Sequence, residues 1–141
     1  MFERCTGLTT VPSNMLPATT LATGCYYAMF AGCTSLITPP VLSVTELAGG
    51  CYYSMFKGCT SLTTAPELPA TTLVNGCYQE MFSGCTNLNY IKCLATSIST
   101  TDCIRWVAGV QEVSGTFIKA SGIYWPTGSS GIPNNWTVQE T

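Results

Sequence analysis

The sequence predicts an α/β solenoid with short parallel strands on one face and short helices on the other. Three observations carry this. A phrase with two cysteines recurs at a period of 26 residues. Three copies hold a short β-like stretch closed by a proline, and three hold an amphipathic stretch with apolar residues at i, i+4 and i+8. A unit with one short strand and one short helix cannot bury its apolar face alone, whereas stacked copies can.

The register is held at many positions. Cys25, Cys51, Cys77 and Cys103 keep the 26-residue step, and so do Leu16, Leu42, Leu68 and Leu94. The Met-Phe pairs Met1-Phe2, Met29-Phe30, Met55-Phe56 and Met81-Phe82 run in parallel with Cys5, Cys33, Cys59 and Cys85. Their first step is longer by two residues, which fall at Ser13-Asn14-Met15.

Within one unit, Leu62-Thr63-Thr64-Ala65 reads as the strand, ended by Pro66, which has no N–H to give to a ladder. Glu67 to Thr72 reads as turn and extended chain. Asn75 is placed to cap a helix over Cys77 to Ser83, with Gly84 as its left-handed terminator. Gly32 and Gly58 hold that terminator place in other copies, and Arg4 departs from it. On such a helix Cys51, Met55 and Cys59 share a face flanked by Tyr52 and Phe56, while Tyr53, Ser54 and Lys57 point elsewhere.

Residues 1–103 are therefore expected to be the repeat array, a partial first repeat followed by about three full ones. Residues 104–141 are expected to be a C-terminal cap, with a strand near Gly115 to Ala120 and bulky residues such as Trp125 and Trp136 between Pro/Gly turns.

The chain is 141 residues long, 46% apolar and only 9% charged, with net charge −2. That excludes a disordered tail, and its five scattered cations exclude a nucleic-acid binder. No apolar run approaches a membrane span. Histidine is absent, which removes the commonest general base and metal ligand. The nine cysteines read as small buried hydrophobes with free thiols. Without a C-x-x-C pair or a histidine, neither zinc nor a catalytic thiol is expected. Glu46, Glu67, Glu80 and Glu112 read as solvated surface rather than as the converging pair that glycoside hydrolysis needs. The reading is a non-enzyme with no cofactor.

Flanking the inward residue of each strand are two ladders, Thr10, Thr38, Thr64, Tyr90 and Pro12, Pro40, Pro66, Lys92. On an exposed sheet face they would look outward and could meet a partner, so Thr10, Thr38, Thr64, Tyr90 and Lys92 are the candidate partner-binding residues. Tyr90 and Lys92 stand out because they break the Thr/Pro monotony. Tyr26, Tyr52 and Tyr78, with Tyr27 and Tyr53 beside them, form an aromatic row expected to pack over the core.

The pattern C-x-x-L-x-x-x-P-x-L-P-x-x-x-L-x-x-G-C-x-x-x-M-F-x-x-C, over roughly Met1 to Cys103, resembles the leucine-rich repeats of BspA-type bacterial surface proteins of the Bacteroides group. The 26-residue period exceeds that of the wider family. The resemblance implies a right-handed leucine-rich-repeat-like solenoid, extracellular or at the cell surface. It would act in adhesion or recognition by binding protein or glycan partners, such as host matrix, through the curved repeat surface. Two alternatives are a structural spacer in a larger surface protein and the attachment module of a phage fibre. An N-terminal end without a lid is expected to favour self-association.

Overall fold

The computed structural model describes residues 2–141; Met1, the first member of the Met-Phe series, lies outside the described residues. Among the described residues there is no helix, and three short strands are the only named elements: β1 (Tyr90–Cys93), β2 (Thr116–Lys119) and β3 (Thr137–Glu140). The expectation of an α/β solenoid of the leucine-rich-repeat type, with short helices on one face, is overturned by this absence.

The stretches expected to be helical are ribbons of consecutive turns. In residues 22–33, the N–H groups of Cys25, Tyr27, Met29, Ala31 and Cys33 each donate to the carbonyl three residues back. The residues between them turn their N–H groups to the next copy instead. Tyr26 donates to Cys51, Ala28 to Tyr53, Phe30 to Met55 and Gly32 to Lys57, at 2.7–2.9 Å. Tyr52, Ser54, Phe56 and Gly58 repeat this toward Cys77, Gln79, Met81 and Ser83.

An α-helix would send every one of these donors to the fourth residue back along its own chain. Here half of them bond the neighbouring coil, so the helical ladder cannot form. Every fourth residue takes positive φ to allow it: Gly24 at 65°, Ala28 at 50° and Gly32 at 74°. Asn75 caps no helix; its carbonyl accepts from Gly50. Gly84 is left-handed at φ 77°, but it closes a turn ribbon.

The apolar spacing survives because the ribbon also repeats every four residues. Cys51, Met55, Phe56 and Cys59 are fully buried and Tyr52 nearly so, while Lys57 is exposed. Ser54 is the departure: it is buried. Side chains stack in columns along the copies. Phe2, Phe30, Phe56 and Phe82 lie ring on ring with centroids 5.6–5.8 Å apart. Tyr26, Tyr52, Tyr78 and Trp106 form a second column at 5.9–6.2 Å.

The strands are shorter than expected. In the early copies they shrink to single parallel bridges, Thr10 with Thr38 and Thr64 with Tyr90. Pro12, Pro40 and Pro66 follow and withhold an N–H. At the matching place Lys92 has one, and there the strand runs on as β1. The three strands form one parallel sheet in the order β1-β2-β3, with Tyr90 opposite Thr116 and Thr116 opposite Thr137.

At the C-terminal end the stack is closed. Trp125 stacks on Trp106 at 5.3 Å and meets Phe117 edge-on at 5.2 Å. Two of the last ribbon's donors are satisfied by the chain folding back, Arg105 N–H to Ser130 Oγ and Val107 N–H to the Ser129 carbonyl. The Trp106 indole N–H reaches the Gly131 carbonyl at 2.8 Å.

Candidate functional site

Thr10, Thr38 and Thr64 are exposed, as the sheet-face reading expects, while Tyr90 and Lys92 are half-buried. The backbone brings these candidates together in two groups. Thr10 bridges Thr38, and Thr64 bridges Tyr90, which begins β1. The second ladder is not an outward row, since Pro40 and Pro66 are buried and Pro12 alone of the three prolines is exposed. Lys92 is engaged with Glu67 at 3.2 Å across the surface.

From Tyr90 the row continues across the sheet through Thr116 to Thr137. Along its rim lies an open groove of about 460 Å³ whose lining includes Asn89, Tyr90, Ser114, Thr116, Asn135 and Thr137. Every one of these side chains is neutral and carries a hydroxyl or an amide. The groove thus offers donors and acceptors beside one aromatic ring, and no charge to select for or against.

Its floor is built by close packing. Gly115 is the residue before β2, and a Cβ there would come within 2.3 Å of the Trp136 ring. The ring in turn is buried and anchored by its N–H on the Gln111 carbonyl at 2.9 Å. Asn135, at φ 63°, donates from Nδ2 to the Glu112 carbonyl, and Asn134 donates to the Glu112 carboxylate. These bonds hold the short link between the Trp136 anchor and β3.

Sequence reasoning placed Thr64 and Tyr90 but not the two residues that continue the row, Thr116 and Thr137. Thr116 was legible, since it stands 26 residues after Tyr90. Thr137 follows 21 residues later, off the period, so nothing in the sequence marked it or Asn135.

The seven buried thiols do not form a reactive site. All nine cysteines are free, seven of them buried. Burial pushes the Cys51 thiol up to about 11 and those of Cys59, Cys77 and Cys93 up to about 12. It raises Cys33, Cys85 and Cys103 in the same direction. A thiol held protonated at neutral pH is neither nucleophile nor ready metal ligand. Among the described residues no three Cys, Asp or Glu side chains gather closely enough to hold a metal ion. Three carboxylates have partners of their own: Glu80 pairs with Lys57, Glu67 with Lys92, and Glu112 with Asn134.

On the turn side, Tyr52 and Tyr78 are buried in their column, while Tyr27 is 54% exposed and stacks on Tyr53 at 5.1 Å. Gln79 Nε2 continues that outer row by donating to the Tyr53 hydroxyl.

Comparison with known proteins adds no identity: no family model, no curated protein and no solved structure matches the chain.

Proposed function

We propose that the chain is a non-catalytic recognition module, displayed outside the cell, that binds a protein or glycan partner across the sheet face running from Thr64 through Tyr90 and Thr116 to Thr137. The observation that carries this is the neutral groove beside Tyr90, floored by Gly115 against Trp136. Hydroxyl and amide groups around an aromatic ring suit a partner rich in hydroxyl or amide groups, and the backbone beneath them is held in place in advance. The resemblance of the repeat wording to BspA-type surface proteins supports the same reading.

The test is a panel of glycans and extracellular-matrix proteins probed with the wild type, Tyr90→Ala and Thr116→Ala. Binding that both substitutions weaken supports the reading. Binding that neither alters moves the site elsewhere, and no binding across the panel removes the function.

A further inference from the structure

Tyr90 is an aromatic side chain set in a row of threonines. Thr64 lies on one side of it and Thr116 on the other, with Thr137 beyond. Both neighbours are shorter than a tyrosine, so the ring stands above the row with no second ring next to it. The Tyr27 ring differs: it is stacked on Tyr53 at 5.1 Å, and one of its faces is taken.

The polar groups around Tyr90 are of one kind. Ser114, Thr116 and Thr137 bring hydroxyls to the groove, and Asn89 and Asn135 bring amides. Every one of these groups both donates and accepts. The bond from Asn135 Nδ2 to the Glu112 carbonyl orients that amide and leaves its oxygen to accept. The cations on the two strands are matched, Lys92 by Glu67 and Lys119 by Glu140. The charge just behind the rim is the Glu112 carboxylate, which accepts from Asn134 and has no cation partner among the described residues.

We infer that the partner of this groove is an uncharged carbohydrate, with a pyranose ring laid on Tyr90 and its hydroxyls bonded by Ser114, Asn135 and Thr137. The inference rests on the groove being the recognition site. A pyranose ring presents slightly positive C–H groups on a face and hydroxyls around its edge. The C–H groups suit the electron-rich face of a tyrosine. The hydroxyls, which donate and accept at once, suit side chains that do the same. A protein partner would need an apolar pocket for an anchoring side chain. The groove has none, because beyond the Tyr90 ring its lining is hydroxyl, amide and glycine. An acidic sugar would find no unmatched cation on β1 or β2, and the Glu112 carboxylate would oppose it. The pitch of the row also fits. Side chains on neighbouring strands lie about 4.8 Å apart, similar to the length of a pyranose unit. Tyr90, Thr116 and Thr137 can therefore follow successive sugars across the strands.

The test titrates the full chain with three sets of ligands in a calorimeter. The first set is neutral oligosaccharides of glucose, galactose, mannose and N-acetylglucosamine. The second is oligosaccharides of glucuronic and galacturonic acid, and the third is matrix proteins stripped of their glycans. At least one neutral oligosaccharide should bind, and its acidic counterpart should bind at least about tenfold more weakly. Tyr90→Thr places in the row the residue that Thr64 and Thr116 already supply, so the sheet accommodates it. It should weaken neutral binding at least about tenfold, while Tyr90→Phe, which keeps the ring, should hold it within about threefold. Binding of no neutral oligosaccharide overturns the inference, and so does neutral binding that Tyr90→Thr leaves unchanged. An acidic oligosaccharide bound as tightly as its neutral counterpart overturns it too. Tyr90-dependent binding of a stripped protein, with no sugar bound, overturns the carbohydrate and leaves the groove standing as a recognition site. Binding of nothing in the three sets overturns both.

Discussion

The Cys59 thiol donates to the main-chain carbonyl of Phe30 at 3.2 Å, and one coil further on the Cys85 thiol donates to Phe56 at 3.0 Å. Cys33 makes the corresponding bond to Phe2 at 2.9 Å. These bonds cross from one coil to the one before it, so each sulfur fills a gap and ties two ribbons together. Cys85→Ala is expected to lower stability by about 1 to 2 kcal/mol, from the lost sulfur volume and the lost S–H bond, while the Phe56 carbonyl keeps the Cys59 N–H. Cys5→Ala, at an exposed position, should change it by less than about 0.5 kcal/mol. Urea unfolding of the two variants checks this. A thiol reagent under native conditions should label Cys5 and Cys25 well before the seven buried cysteines.

The same burial sets a pH dependence. In the unfolded chain the thiols titrate near 9.0, while folded Cys51 is raised to about 11 and Cys59, Cys77 and Cys93 to about 12. Desolvation in the folded state is the first cause in each case. Between these values the unfolded chain gives up protons that the folded chain keeps, so stability falls as pH rises. The contribution is fully present below pH 9 and declines through the folded-state values. Denaturation midpoints measured at pH 7 and pH 10 should therefore drop at the higher pH, and a midpoint that rises or stays level would refute the assignment.

The burial pattern was readable in the sequence where the hydrogen-bond pattern was not. Spacing at i, i+4 and i+8 puts Cys51, Met55 and Cys59 on one side of an α-helix, and it does the same on a ribbon whose turns repeat every four residues. Those positions alone cannot separate the two, because they record only which side chains face inward. The choice is made by the intervening main-chain donors, and these leave no mark on residue type except at glycine. Gly24, Gly50 and Gly76 before the phrase, with Gly32, Gly58 and Gly84 after it, are that mark, all at positive φ. From sequence alone Gly32, Gly58 and Gly84 read as helix terminators, because a left-handed glycine is common there. Ala28, Ser54 and Glu80 adopt the same region with no glycine to announce it. The groove was half legible for a different reason: Thr116 keeps the 26-residue period, whereas Thr137 and Asn135 are positioned by the Gly115–Trp136 contact.

Ala28 at φ 50° is held in the left-handed region by its bond to Tyr53 and by the turn on either side. That region costs a non-glycine residue about 1 kcal/mol, and a β-branched residue more. Ala28→Gly should therefore be neutral or stabilising by up to about 0.5 kcal/mol, the strain relief being offset by added freedom in the unfolded chain. Ala28→Val should destabilise by about 2 kcal/mol or more, because the branched side chain adds bulk at a buried position. Were residues 25–33 helical, the order of the two variants would tend to reverse, since glycine is the poorer helix former. Thermal unfolding of the pair therefore discriminates ribbon from helix without a new structure.

Gly131 tests the closure of the C-terminal end. Its carbonyl accepts the Trp106 indole N–H, and a Cβ built on it would lie 2.0 Å from the Pro126 carbonyl oxygen. That oxygen is main chain and already accepts from Ile132, so it has no free rotation by which to retreat. Gly131→Ala must therefore push the 126–132 loop away from the last ribbon. The Trp106–Gly131 bond would go with it, and the Arg105 and Val107 donors would lose Ser130 and Ser129. The expected loss is about 3 kcal/mol, from overpacking together with orphaned buried donors. Its signature is local as well as global. Trp106 and Trp125 are stacked beneath this loop, so their emission should shift to longer wavelength before the coils near the N-terminal end unfold. A variant that keeps both the wild-type stability and the wild-type tryptophan emission would show that the loop is not what closes the stack.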